Sequence, residues 1–157
     1  RSGDIDPAVV EYMMDKTGMN VHEMLNYLNK KSGVEGISGV SSDFRDLVKA
    51  YEEGNDRARL AIDMFAYRVK KYIGAYAAAL GGLDCVVFTG GIGEHTEIVR
   101  EKVMQGMEYL GIDFDFDKNN NVERAVTELN KPLSKVKVYI IPTNEELVIA
   151  RETLRLK

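Results

Sequence analysis

The sequence predicts an α/β fold, helical through its first half and then alternating parallel strands with helices. Three observations carry that prediction. Apolar residues recur at helical spacing over most of the stretch that ends at Leu80. Two short, continuous apolar runs, Asp84 to Thr89 and Val136 to Ile141, are bounded by turn residues, as strands buried on both faces of a parallel sheet are. A helical pattern follows each run, so the second half reads helix, strand, helix, strand, helix.

Asp6 and Pro7 open the first helix as capping carboxylate and first-turn proline, and Gly18 ends it. Val21, Met24, Leu25 and Leu28 share one face of a second helix that stops near Gly33, so the two form a helical hairpin. The Gly- and Ser-rich stretch from Gly33 to Ser42 reads as a loop. Helical spacing resumes over Asp43 to Tyr51, with Ser42 placed to cap it, and ends at Gly54. A long central helix starts at Asn55, carries Leu60, Met64, Tyr67, Tyr72 and Tyr76 among its apolar positions, and closes in Ala77 to Gly82. After the first strand a helix is expected over Thr96 to Leu110, with Gly111 as terminator. Ile112 to Phe116 alternates like a strand, Asn119 to Asn121 reads as a solvated turn, and Pro142 ends the last strand before a final helix from Glu145.

Composition narrows the function. The 157 residues, 45% of them hydrophobic, suffice for one domain with a real core. Acidic and basic residues, 25 and 21, are mixed along the chain, which leaves no basic face for nucleic-acid phosphates. No apolar run approaches the roughly 20 residues that span a bilayer, and Arg1-Ser2-Gly3-Asp4 has no apolar segment of the signal-peptide kind. The expectation is a soluble, cytoplasmic protein with neither nucleic acid nor membrane as partner. Cys85, the single cysteine, reads as a small buried thiol within Cys85-Val86-Val87-Phe88, with no second cysteine for a disulfide or thiolate metal cluster. The chain opens on a polar turn without an initiating Met and reads as a piece of a longer protein.

Phe88-Thr89-Gly90-Gly91-Ile92-Gly93-Glu94 is the strongest local signal. Glycines directly after a strand let backbone come close to a ligand and present N–H groups at a helix start, which suits a nucleotide. No Lys-Ser/Thr pair follows, so this is not a Walker A loop, and its glycine spacing does not fit the dinucleotide fingerprint. A tight strand-to-helix turn without a ligand is the other reading. Pro142-Thr143-Asn144-Glu145-Glu146 lies at the carboxyl edge of the sheet, where open α/β folds place ligands. Thr143 and Glu146 have capping-box spacing, which accounts for Glu146. Glu145 is open to two roles, a carboxylate for Mg²⁺ or favourable charge at a helix N-terminus.

Arg1 puts a guanidinium on a turn, able to neutralise a phosphoryl group in flight, or is simply an exposed arginine. Asp43 and Arg45 flank Phe44 at a helix start. Such an arginine can stack on a base and such a carboxylate can hold a sugar hydroxyl; a solvated surface pair is the alternative. His95 either touches the nucleotide or caps the helix after the glycine turn, while His22 reads as surface. The helical methionines read as core filler, and no nucleophile stands beside a base.

Four segments, Arg1 to Pro7, Ser41 to Asp46, Phe88 to Glu94 and Ile141 to Leu147, together resemble the acetate kinase family in order and spacing. The resemblance covers essentially the whole chain as the C-terminal part of such an enzyme. It implies that residues 1–157 are the C-terminal nucleotide-binding domain of a larger two-domain kinase, part of a ribonuclease H-like fold shared with actin, Hsp70 and sugar kinases. The implied activity is phosphoryl transfer from ATP to acetate, giving acetyl phosphate and ADP, with Mg²⁺. By resemblance Arg1 matches the transition-state stabiliser and Asp43, Phe44 and Arg45 match the adenosine-contacting segment. Gly91, Ile92, Gly93, Glu94 and His95 match the nucleotide loop, and Glu145 matches the Mg²⁺-linked glutamate. His95 stands where the family commonly has Asn; both side chains donate a hydrogen bond. The family's acetate-binding arginine, catalytic aspartate, phosphoryl-contacting histidine and further phosphate loop all precede the residue matching Arg1, so the isolated chain is expected to be inactive. Family members are dimers joined through this region, which implies a homodimer. A dimerisation module without activity is the second hypothesis, and propionate or butyrate kinase is the alternative within the family.

Overall fold

In the computed structural model, which describes residues 1–122 and 125–156, the chain divides into two compact units, Arg1–Phe65 and Ala66–Lys157. The first is helical. Helix α1, Pro7–Thr17, begins as read: the Asp6 carboxylate accepts the Ala8 N–H, and Gly18 closes the helix in the left-handed region. Helix α2, Val21–Lys30, starts on a capping box in which Asn20 and Glu23 satisfy each other's backbone N–H groups. Met24, on the expected face, is fully buried.

Gly33 to Ser42 is not loop throughout. A short helix α3, Gly33–Ser38, forms there because its glycines and serines sit mainly at its ends, and Gly39 terminates it with φ 68°. Arg57 then donates to the carbonyls of Ile37 and Gly36, at 2.9 and 3.2 Å, satisfying groups that the helix end leaves open. Helix α4, Phe44–Glu52, is capped by Asp43 and not by Ser42. The shorter reach belongs to Asp43, whose carboxylate takes the Arg45 N–H at 2.9 Å, while Ser41 Oγ takes the Asp43 N–H at 3.0 Å. Leu47 is fully buried, and Phe44 meets Phe65 edge to face at 4.7 Å. Helix α5, Asp56–Leu80, has the expected length, and Asn55 opens it by accepting from the Arg57 and Ala58 N–H groups.

The second unit holds a three-stranded sheet in the order β1, β3, β2. Strands β1, Cys85–Phe88, and β3, Lys137–Ile140, are parallel, as the sequence predicts; β2, Thr127–Glu128, joins β3 antiparallel. Burial on both faces does not hold for β1. Cys85 and Val87, which share one face, are exposed and Phe88 alone is buried, so that face of β1 is open in this chain. The thiol expected inside is therefore at the surface. In β3 the burial alternates, with Val138 and Ile140 inside.

The helix expected over Thr96 to Leu110 is two pieces, α7, Glu97–Met104, and a single 3-10 turn over Glu108–Leu110, and a separate short helix α6, Gly90–His95, precedes it at the glycines. Gly106, at φ 75°, breaks the run, and Gly111 ends the 3-10 turn as read. Ile112 to Phe116 is not a strand: it makes one bridge, Phe114 to Asn130, and helix α8, Phe116–Asn119, begins on its last residue. Nor is Asn119 solvated, being 1% exposed. Helix α9, Glu145–Arg155, closes the described chain where the sequence places it. Among the described residues no helix is long and apolar enough to cross a membrane.

Candidate functional site

Two loops leave the same edge of the sheet. Because β1 and β3 are parallel with Phe88 beside Ile140, the glycine turn and Pro142 to Asn144 emerge side by side. The Ile141 N–H donates to the Phe88 carbonyl at 3.0 Å and carries the ladder to the strand ends. Thr89 stays extended, and Gly90 turns the chain into α6 at φ 70°, a left-handed value that favours glycine. Gly93 lies so close to β1 that a Cβ there would sit 3.3 Å from the Phe88 carbonyl carbon. This glycine lets the helix rest directly on the strand end.

Glu94 ties the two loops together. Its Oε1 accepts from the Gly90 N–H at 2.8 Å, the Thr143 N–H at 2.9 Å and the Thr143 hydroxyl at 3.0 Å. The Thr143 N–H, with its hydroxyl and the Gly90 N–H, holds the Glu94 carboxyl below the usual carboxylate range. A lowered pKa means that this tie is fully present above the ordinary glutamate pKa and is lost only as pH falls through the lower folded value. Thr143 is consequently not the cap of α9. Asn144 is, its Oδ1 taking the Leu147 N–H at 2.9 Å, so the expected capping box of Thr143 with Glu146 does not form.

Behind the turn, Arg100 is 2% exposed. Its Nη1 donates to the carbonyls of Gly93 and Glu94 at 2.9 and 3.0 Å, and its Nε donates to Asn119 Oδ1 at 2.7 Å. Asn119 Nδ2 donates in turn to the Glu97 carbonyl at 3.0 Å. Burial pulls the guanidinium below its ordinary pKa, with Glu97 opposing. The arginine therefore anchors the exit of the glycine turn through the backbone. Neither Arg100 nor Asn119 stands out in a motif. The available signal is that Arg100 shares the α7 face of Val103 and Met104, a charge on an apolar stripe.

The remaining residues singled out in the sequence fall as follows. Arg1, Asp43, Phe44 and Arg45 belong to the first unit; Gly91 to His95 and Glu145 belong to the second. Arg1 is exposed. Arg45 grips the Asp43 carboxylate with Nε at 3.1 Å and Nη2 at 2.5 Å, which holds the Asp43 pKa down at about 2. Arg45 leaves its guanidinium largely in solvent, whereas Phe44 turns its ring into the core. His95 is exposed, with Nε2 4.0 Å from Glu94 Oε2.

Glu145 is exposed in the first turn of α9 beside Glu146. Among the described residues no group of three His, Cys, Asp or Glu gathers for a metal. That donor set does not make a dedicated cage. It does suit Mg²⁺, which keeps most of its waters and takes one or two carboxylates together with substrate phosphates.

Over residues 1–151 the chain matches the model of the acetokinase family. It is 65% identical to an acetate kinase of Caldicellulosiruptor bescii, covering 99% of this chain and 39% of that protein. An acetate kinase of Caldicellulosiruptor saccharolyticus is 66% identical with the same coverage. Among solved structures, Porphyromonas gingivalis acetate kinase superposes with a TM-score of 0.92 at 49% identity, over 100% of this chain and 40% of that one. A propionate kinase from Francisella tularensis superposes with a TM-score of 0.86 at 41% identity, over 97% and 38%. The α/β fold read from the sequence, helix-rich with a small sheet, is that of the acetate kinases, within the actin-like ATPase type. The chain belongs to the acetokinase family, and it spans 39% of the length of the curated relatives named here.

Proposed function

We propose that residues 1–157 are the C-terminal nucleotide-binding domain of a two-domain, cytoplasmic acetate kinase. The whole enzyme transfers the terminal phosphoryl group of ATP to acetate, giving acetyl phosphate and ADP. The observation that carries this reading is the pairing at one sheet edge of a glycine turn with the loop that leads into Glu145. Gly91, Ile92 and Gly93 bring backbone close to the nucleotide, and the exposed His95 donates a hydrogen bond to it. Asp43 and Arg45 contact the adenosine, with Phe44 taking part through its backbone because its ring is buried. Arg1 stabilises charge on the phosphoryl group during transfer. Glu145 holds Mg²⁺ directly or through water, and the ion, when bound with nucleotide, neutralises phosphate charge.

Replacing Glu145 by Gln in the full-length enzyme should raise the Mg²⁺ concentration needed for half activity by about tenfold, through loss of one charged ligand. Acetate KM should stay within twofold. Steady-state titration with Mg²⁺ at fixed ATP checks this, and an unchanged Mg²⁺ requirement would remove Glu145 from the metal. By the family resemblance the acetate-binding and phosphoryl-contacting groups precede Arg1, so purified 1–157 is expected to form no acetyl phosphate.

Propionate is the second acceptor to compare, since a propionate kinase shares this fold at 41% identity. The ratio of kcat/KM values for acetate, propionate and butyrate decides between them. We also propose a homodimer. Its support is the exposed face of α5 that carries Tyr72, Tyr76 and Leu80, the two tyrosine rings stacked on each other. Sedimentation equilibrium of the full-length protein checks it.

A further inference from the structure

By resemblance Glu94 is one of the residues that meet the nucleotide, yet its environment has a different logic. One carboxylate oxygen is used three times by the chain itself, by Gly90 at the start of the turn and twice by Thr143, and the side chain is 10% exposed. A carboxylate so engaged has little to offer an anionic phosphate, which it repels. Thr143 lies 49 positions from Glu94 and two before Glu145. From the geometry we infer that Glu94 and Thr143 form a clasp that holds the nucleotide loop in register with the Mg²⁺-linked Glu145, Glu94 acting as a positioning residue. The inference rests on the nucleotide and Mg²⁺ reading given above.

The segment Gly91 to Gly93 is held from both ends. At its entry the Gly90 N–H is fixed on Glu94; at its exit the carbonyls of Gly93 and Glu94 are fixed on Arg100. Only the entry bond is shared with the loop that leads to Glu145. Opening the clasp thus disturbs nucleotide and metal together, while the Arg100 anchor remains.

The experiment uses full-length enzyme carrying Glu94→Gln, Thr143→Val, Thr143→Ser and the pair Glu94→Gln with Thr143→Val. Glutamine keeps an acceptor oxygen but loses the charge, so KM for Mg·ATP should rise about tenfold. Valine removes only the hydroxyl bond, so KM should rise about threefold, and serine should restore the native value. If the two side chains act as one device, the pair should raise KM by less than the product of the two separate effects. The Mg²⁺ requirement should rise in step with KM for Mg·ATP, and acetate KM should stay within twofold. A merely structural role would lower the melting temperature without moving KM for Mg·ATP in the folded enzyme, and that result would overturn the clasp. So would additive effects in the pair. Should Glu94→Gln fail to fold, the contrast of valine with serine at Thr143 still decides. If the wild-type enzyme fails to bind Mg·ADP, the underlying reading fails and takes the clasp with it; if it binds and the variants bind equally well, the clasp alone fails.

Discussion

Replacing Arg1 by Ala in the full-length enzyme is expected to lower kcat by about a thousandfold, while KM for Mg·ATP changes by only a few-fold. A guanidinium that meets the phosphoryl group chiefly in flight contributes to the transition state and little to the ground state, so the loss belongs in kcat. Its backbone is held by neighbouring segments. The Ser2 N–H donates to the Leu28 carbonyl at 3.0 Å, and Gly33, at φ 60°, approaches the Arg1 carbonyl so closely that no Cβ fits between them. Lysine keeps the charge but not the planar fork, so Arg1→Lys should recover less than about a tenth of the lost rate. Steady-state kinetics in both directions of the reaction check the split. A loss smaller than tenfold, or one expressed mainly in KM, would take Arg1 out of the transition state.

Arg100→Met is expected to destabilise the protein by about 3–5 kcal/mol, far more than an average substitution. Methionine fills much of the volume but donates nothing. The carbonyls of Gly93 and Glu94, the Asn119 carbonyl and Asn119 Oδ1 would all lose a donor. Leaving buried acceptors without a donor costs roughly 1–3 kcal/mol each, reduced where water can enter. Urea unfolding of variant and wild type checks the magnitude. Arg100→Lys should recover only part, because one ammonium cannot reach the acceptors that the guanidinium spans. A loss below about 1 kcal/mol would mean that the turn does not depend on this anchor.

Much of the fold is legible because its signals are local. The Asp6-Pro7 start and Gly18 end of α1, the length of α5 and the parallel pairing of two apolar runs need only near neighbours or periodicity. What is not legible depends on distant partners. Thr143 has the spacing of a cap, but Glu94, 49 positions away, claims it, and the cap passes to Asn144. Within Asn119-Asn120-Asn121 nothing local says that the first residue is buried under Arg100. The apolar run of β1 looks like a doubly covered strand, yet coverage is a property of the elements packed on it and not of the strand. The candidate site is uneven in the same way. Its two loops are recognisable from glycines and a carboxylate after apolar runs, and parallel register brings them together. The groups that hold them there, Thr143 and Arg100, are ordinary residues whose work appears only in three dimensions.

Whether Mg²⁺-bound nucleotide sits on the glycine turn under the control of Glu145 is decided by titrating glycine-labelled full-length protein with Mg·ADP and following the backbone amide signals of Gly91 and Gly93. Both signals should shift saturably, with one dissociation constant, and Glu145→Gln should weaken that constant in Mg²⁺ far more than in its absence. Amide signals that stay in place while calorimetry shows Mg·ADP bound would contradict this placement.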